Sequence, residues 1–252
     1  MKSLFNLRGN NKRRSTLMFV AFLSLFVLSA IFFTACDKGS PVAVDQTSPD
    51  KDFAKGAAEQ TMNPETARFS VNGKLYESAE FHRTFKSQEF PILVAGNGLS
   101  EENVIYAFPS EDAFGAWAKT TPFADKFAKL GNAIAEAKQQ QLSKGDSGSG
   151  IETAGGYAIL WTGYSAAGSG YRYNAPRLQS ALSSGINNFA SSVQIFNPSN
   201  TYRESTACAL FDLTGYGGRY LVLTNTLQGV LYTWPNLGAF GFDNRASALI
   251  VI

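Results

Sequence analysis

Residues 155–252 carry one pattern twice, and that repeat limits the possible fold more than any other feature. In the first copy Leu160-Trp161 is followed by Gly168, and later by Asn187-Asn188-Phe189-Ala190-Ser191-Ser192 with Val193 and Ile195 beyond. In the second copy Leu210-Phe211 is followed by Gly218, and later by Asp243-Asn244-Arg245-Ala246-Ser247-Ala248 with Leu249 and Val251. Both times an aromatic residue stands seven positions before a glycine, and a polar pair stands three before a serine. The stretch is rich in Gly, Ser, Asn and aromatic residues, and its short apolar runs have no helical period. Turn signals recur about every ten residues, as in an all-β sandwich. Two copies of one supersecondary unit predict a two-lobed β domain of about 100 residues.

Residues 66–143 have a different texture and predict a small α+β unit. Phe69, Val71, Leu75 and Tyr76 flank Asn72-Gly73, a strong short-range hairpin signal. The runs Pro91 to Ala95 and Val104 to Phe108 read as two further strands. Ser110 before Glu111 and Asp112 predicts a helix N-cap, opening a helix that carries Phe114 and Trp117. Pro122 predicts the start of a second helix, with Phe123, Phe127, Leu130, Ile134 and Ala137 at helical spacing. Residues 144–154, beginning Lys144-Gly145-Asp146-Ser147-Gly148, are a linker by composition, so 66–143 and 155–252 are expected to fold separately.

The N-terminus reads as an address. Its first 35 residues hold Lys2, Arg8, Lys12, Arg13 and Arg14 and no acid, and Leu17 to Ala35 runs 19 positions without a charge. The length would suit a membrane span. It ends, however, in Phe33-Thr34-Ala35-Cys36, small residues just before a cysteine, the order of a signal-peptide cleavage site. Residues 1–35 are therefore expected to be a signal peptide and 36–65 a flexible tether rich in Asp, Ser, Pro and Gln. Removing the first 35 residues turns the formal charge of +2 into 17 basic against 20 acidic groups. A mildly acidic body without a basic cluster predicts no nucleic-acid partner.

Two resemblances follow from these residues. The Cys36 context resembles a bacterial lipobox, which implies cleavage before Cys36, acylation of that cysteine, and a lipid anchor on the extracytoplasmic side of a bacterial envelope. Leu210-Phe211-Asp212-Leu213-Thr214-Gly215-Tyr216-Gly217-Gly218-Arg219-Tyr220 resembles the folded first hairpin of a βγ-crystallin Greek key. The segments Asn187 to Ser192 and Asp243 to Ala248 resemble that family's calcium signature. The resemblance covers residues 155–252 and implies an all-β double Greek-key sandwich. Ser165-Ala166-Ala167-Gly168 departs from the family's hairpin, and Ala248 from its signature. The second copy has six more residues between glycine and serine, which predicts an enlarged loop near Leu231 to Ala239.

Calcium takes six to eight oxygen ligands in irregular geometry. The family likeness implies side-chain oxygens from the polar pair and serine, a carbonyl after the pair, and another from the hairpin. One set is then Asn187, Asn188, Phe189 and Ser191 with Thr162 or Asp212; the other is Asp243, Asn244, Arg245 and Ser247. Turn-forming Asn, Asp and Ser need no metal, so the polar turns have a purely structural alternative. The first signature matches at every position, which ranks its serine above Ser247.

Enzyme chemistry finds little support. One histidine excludes a His-rich metal site, and two cysteines exclude a disulfide framework or a Cys₄ zinc site. His82 has no acidic or cysteine partner at ligand spacing and reads as a surface or interface residue. Glu101, Glu102, Glu111 and Asp112 read as loop and helix-start charges. Cys208 sits in an apolar strand and reads as a small buried residue. The Gly215-Tyr216-Gly217-Gly218 run precedes a strand, whereas a phosphate loop opens a helix. The expected protein is a non-enzymatic envelope lipoprotein with a structural, adhesive or binding role toward a protein or polysaccharide. The alternative is an inhibitor of extracellular proteases, with Val230 to Ala239 and its Trp234-Pro235 as the exposed loop.

Overall fold

The computed structural model describes residues 58–99, 103–143, 155–198 and 205–252. The signal peptide expected at 1–35, Cys36 and the linker expected at 144–154 lie outside them. Among the described residues no helix is long and apolar enough to cross a membrane.

The protein is mostly β-sheet with a few helices. Strands β1 (Ala58–Thr61), β2 (Arg68–Val71) and β3 (Lys74–Glu77) precede helix α1 (Ser78–Thr84). Strands β4 (Ile92–Gly96) and β5 (Val104–Phe108) follow, then α2 (Glu111–Ala118) and α3 (Ala124–Ser143). The first repeat forms β6 (Tyr157–Trp161), β7 (Gly170–Asn174), β8 (Arg177–Gln179) and β9 (Ser192–Asn197). The second forms β10 (Thr206–Leu213), β11 (Gly217–Asn225), β12 (Val230–Trp234) and β13 (Ala248–Val251). Several local expectations meet their physics here. Asn72 and Gly73 both have positive φ, 51° and 79°, which closes the β2–β3 hairpin. Ser110 Oγ accepts a hydrogen bond from the Ala113 N–H at 3.2 Å, capping α2.

Two sheets carry these strands, in the orders β1-β12-β9-β6-β7 and β3-β2-β5-β4-β11-β10-β13-β8. Each repeat gives its third strand to the sheet of the other, since β8 pairs with β13 and β12 pairs with β9. The two copies are thus interlocked rather than merely adjacent.

The expected separation of 66–143 from 155–252 is corrected by the eight-stranded sheet. β4 pairs in parallel with β11 from Ile92↔Tyr220 to Thr224↔Gly96, so one sheet runs through both segments. The cores follow the sheet. Leu93, Ala95 and Ile105 face the sandwich interior with Leu210, Leu221 and Trp234. Ile92, Val94, Tyr106 and Phe108 face the other way, where Phe127, Leu130 and Ile134 of α3 cover them together with Phe211, Val222 and Ile250. Residues Gln46–Ile252 form one compact unit, and both of these cores are drawn from Met62 onward.

Two more boundaries move. The segment expected to be tether contributes β1, which pairs in parallel with β12, and a single 3₁₀ turn at Pro64–Thr66. All four β1 side chains are exposed, so backbone pairing holds it, helped by Glu59 Oε1 accepting from Gln194 Nε2 at 3.2 Å. The enlarged loop expected at Leu231 to Ala239 is instead strand β12 and a 3₁₀ turn, Leu237–Phe240, with Trp234, Leu237 and Phe240 buried. Longer strands take up much of the extra length: β11 and β12 have nine and five residues where β7 and β8 have five and three. With Trp234, Leu237 and Phe240 buried, this segment lacks the exposed loop that the protease-inhibitor alternative called for.

Candidate metal centre

The two polar turns lie at the same end of the sandwich and interlock reciprocally. The Asn188 N–H donates to the Ala246 carbonyl at 2.9 Å, and the Asn244 N–H donates to the Ala190 carbonyl at 3.0 Å. Both asparagines have positive φ, 58° and 54°, a conformation Asn tolerates better than most residues. Ser191 and Ser247 are buried, and their N–H groups donate to the carbonyls of Trp161 and Phe211, each at 2.8 Å. Each of these backbone contacts in one turn therefore has its counterpart in the other.

The serines do not stay with their own polar pairs. The Ser247 hydroxyl donates to Asn188 Oδ1 at 2.9 Å, and the Ser191 hydroxyl donates to Asn244 Oδ1 at 3.4 Å. The two sets named from sequence are thereby regrouped at their serines: Asn188 pairs with Ser247 and Asn244 with Ser191, while the Ser247 hydroxyl also lies 3.5 Å from the carbonyl of Arg245 in its own turn. The exchange of β8 and β12 between sheets is the cause, because it brings each turn against the strand entry of the other copy.

Thr162 and Asp212 are occupied within their hairpins. Thr162 Oγ1 accepts from the Ser169 N–H at 3.0 Å. Asp212 Oδ1 accepts from the Arg219 N–H at 2.8 Å, and its Oδ2 lies 3.2 Å from Arg219 Nε. Their side chains close the two folded hairpins, so the role the likeness implies would fall to their carbonyls. Ser192, the position where the second copy has Ala248, donates to the Gly163 carbonyl at 2.6 Å and accepts from the Ala166 N–H at 3.0 Å.

Sequence reasoning missed Tyr164. Its hydroxyl donates to Asp243 Oδ2 at 2.8 Å, tying the first hairpin to the second turn, and this contact holds the phenol above its ordinary range. No local signal announces it, since the partners are 79 positions apart. Tyr164 also lines a shallow cavity of about 510 Å³ with Met62, Pro64 and Pro235. No other titratable group lines that cavity, so it offers no acid–base pair.

The donor chemistry fits a hard cation. Asn187 Oδ1 and Asp243 Oδ1, one in each turn, are buried acceptors with no hydrogen-bond donor. Oxygens about 2.8–3.5 Å apart can be neighbours in a shell of radius about 2.4 Å, the range calcium uses. The paired oxygens of Asn188 with Ser247 and Asn244 with Ser191, at 2.9 and 3.4 Å, fall within it. Among the described residues no three His, Cys, Asp or Glu side chains cluster. With Asn, Asp and Ser oxygens and no sulfur or imidazole among their side chains, the turns suit an oxygen-seeking metal.

The other reactive residues lie apart from the turns. Cys208 is fully buried, and burial pushes its thiol up to about 12, which keeps it protonated and inert. His82 is exposed on α1, edge-on to the rings of Phe69 and Phe81.

No family model matches the chain, and no curated protein does. Among solved structures it is similar to βγ-crystallin domains. A structure described as the evolution of the eye lens βγ-crystallin domain fold shares 18% identity at a TM-score of 0.32, covering 42% of this chain and 93% of that one. A βγ-crystallin from an archaeon shares 18% at 0.28, covering 39% and 99%. One from Ciona intestinalis shares 23% at 0.28, covering 37% and 96%.

Proposed function

We propose that the protein is a non-enzymatic cell-envelope lipoprotein whose paired turns bind calcium, in a structural or adhesive role outside the cytoplasm. The observation that carries this reading is the reciprocal pairing of Asn188 with Ser247 and Asn244 with Ser191, each beside a buried acceptor that lacks a donor. Asn187, Asn188, Ser247 and the Phe189 carbonyl would hold one ion. Asp243, Asn244, Ser191 and the Arg245 carbonyl would hold the other. A bound ion supplies positive charge where the acceptors now lack donors, and the protein's part is to hold those acceptors in place. Anchoring rests on the uncharged run that Cys36 closes.

The regrouping changes the reason for the ranking but not its direction. Ligand charge tunes calcium affinity, and Asp243 brings the one carboxylate to the turn that Ser191 serves. Calorimetric titration of Gln46–Ile252 with calcium is expected to show binding at about 10⁻⁵–10⁻³ M. Ser191→Ala should remove more of the heat than Ser247→Ala, and magnesium should do far less than calcium. Absence of calcium heat in the unsubstituted protein would refute the proposal.

A further inference from the structure

The large apolar side chains that stand exposed among the described residues are Tyr164, Phe189 and Leu213, at 52%, 56% and 58%. Each is tied to the paired turns by its place in the chain or by a hydrogen bond. Phe189 follows Asn188, and Leu213 lies two positions beyond Phe211, whose carbonyl receives the Ser247 N–H. Phe189 therefore belongs to the turn formed by Asn188 and Ser247, and Leu213 to the strand end to which that turn is hydrogen-bonded. Tyr164 flanks the other turn through Asp243. An apolar rim concentrated at one polar site points to a partner with both apolar and charged parts.

We infer that this end of the sandwich is a calcium-dependent docking surface for anionic lipid headgroups, with Phe189 and Leu213 entering the bilayer interface. The inference rests on the calcium reading of the turns. Neutral Asn and Ser donors leave most of an ion's charge uncompensated, and they supply fewer oxygens than the six to eight calcium takes. Phosphate oxygens of a headgroup meet both needs. Asp212 is neutralised by Arg219, and the exposed Arg245 adds positive charge at the position matching Phe189, so Asp243 is the one acid left in the turns. Leucine and phenylalanine beside such a charge suit the boundary between headgroup and acyl chain. The chain can bring this end to a membrane. The described residues begin at Ala58, paired with Val230 at the far end of β12 from Pro235 and the turns. The 22 positions from Cys36 to Ala58 span at most about 75 Å. That exceeds the roughly 17 Å length of β12, so either end of the sandwich can reach the bilayer.

The test is cosedimentation of Gln46–Ile252, which lacks the expected anchor, with vesicles of phosphatidylglycerol and phosphatidylcholine or of phosphatidylcholine alone. Each is run in calcium or chelator, beside a calcium titration without lipid. Binding to the anionic vesicles should rise about tenfold or more in calcium, with little on the neutral ones. Leu213→Ser should lower it about tenfold while keeping the calcium heat, since no ligand is touched, and Phe189→Ser should lower it as well. Calcium heat without calcium-dependent sedimentation would overturn the inference and leave the calcium reading standing. Absence of calcium heat would overturn both. Equal sedimentation of Leu213→Ser and the unsubstituted protein would also overturn it, as would calcium-dependent capture on polysaccharide beads with none on vesicles.

Discussion

Ser165 and Gly215 hold the same place in the two folded hairpins, with φ of 53° and 75°, and only the glycine is free of strain there. The next pair, Ala166 and Tyr216, is also left-handed at 57° and 58°. Ser165 and Ala166 thus differ in residue type from Gly215 and Tyr216 but share their left-handed backbone. Ser165→Gly should relieve the left-handed strain and stabilise the protein by about 0.5–1 kcal/mol after the entropy of glycine is counted. A thermal melt should rise by a few degrees, and no rise would mean the strain is absorbed elsewhere. Cys208 gives a second expectation at this scale. Its folded thiol is raised to about 12 from 9.0 by burial, so above pH 9 the unfolded chain loses a proton that the folded chain keeps. The unfolded state then binds fewer protons, and stability falls as pH rises from about 9 toward 12. The slope for one such group is about 1.4 kcal/mol per pH unit. Tyr173 and Tyr220, also raised by burial, add to the loss above pH 10. Urea unfolding at pH 8, 9 and 10 should show a shallower fall for Cys208→Ala than for the unsubstituted protein, and equal slopes would refute the assignment.

At the scale of elements, the junction of β4 with β11 decides how the chain holds together. A broad protease should cut between 143 and 155, yet the two pieces should co-elute on size exclusion until denaturant is added, because four consecutive β4 side chains from Ile92 to Ala95 are buried in shared cores. Separate elution under native conditions would mean that the parallel pairing contributes little. The strands of this junction were legible in sequence, but their partnership was not. Ile92-Leu93-Val94-Ala95, Val104 to Phe108 and Ala207 to Phe211 are apolar on both faces, the mark of strands covered on both sides. A two-sheet sandwich buries only one face of each strand, so those runs already called for a further layer, which α2 and α3 supply. The polar turns were legible for a different reason, since their spacing is local. Their regrouping was not, because it depends on β8 and β12 crossing between sheets. β1 left no trace in the sequence pattern, since it joins through its backbone with every side chain exposed.

For the molecule as a whole, the shared sheet makes the turns and the distant helices parts of one equilibrium. Ligand that binds only the folded state stabilises it by about 2.7 kcal/mol at 100 times the dissociation constant. If calcium binds at the turns, that gain belongs to everything that unfolds with them. Phe211 and Ile250 pack in the same core as Tyr106, Phe127 and Leu130, so the segment 66–143 has no core that survives loss of the sandwich. Amides of β4 and β5 that exchange only through global unfolding should therefore slow about 100-fold in saturating calcium, as much as those of β10 and β11. Hydrogen exchange read by mass spectrometry on peptides from Ile92–Gly96, Val104–Phe108 and Thr206–Leu213 would check this. Protection confined to β10 and β11 would mean that β4 opens from β11 without the rest, and that the eight-stranded sheet is two cooperative units meeting along one seam.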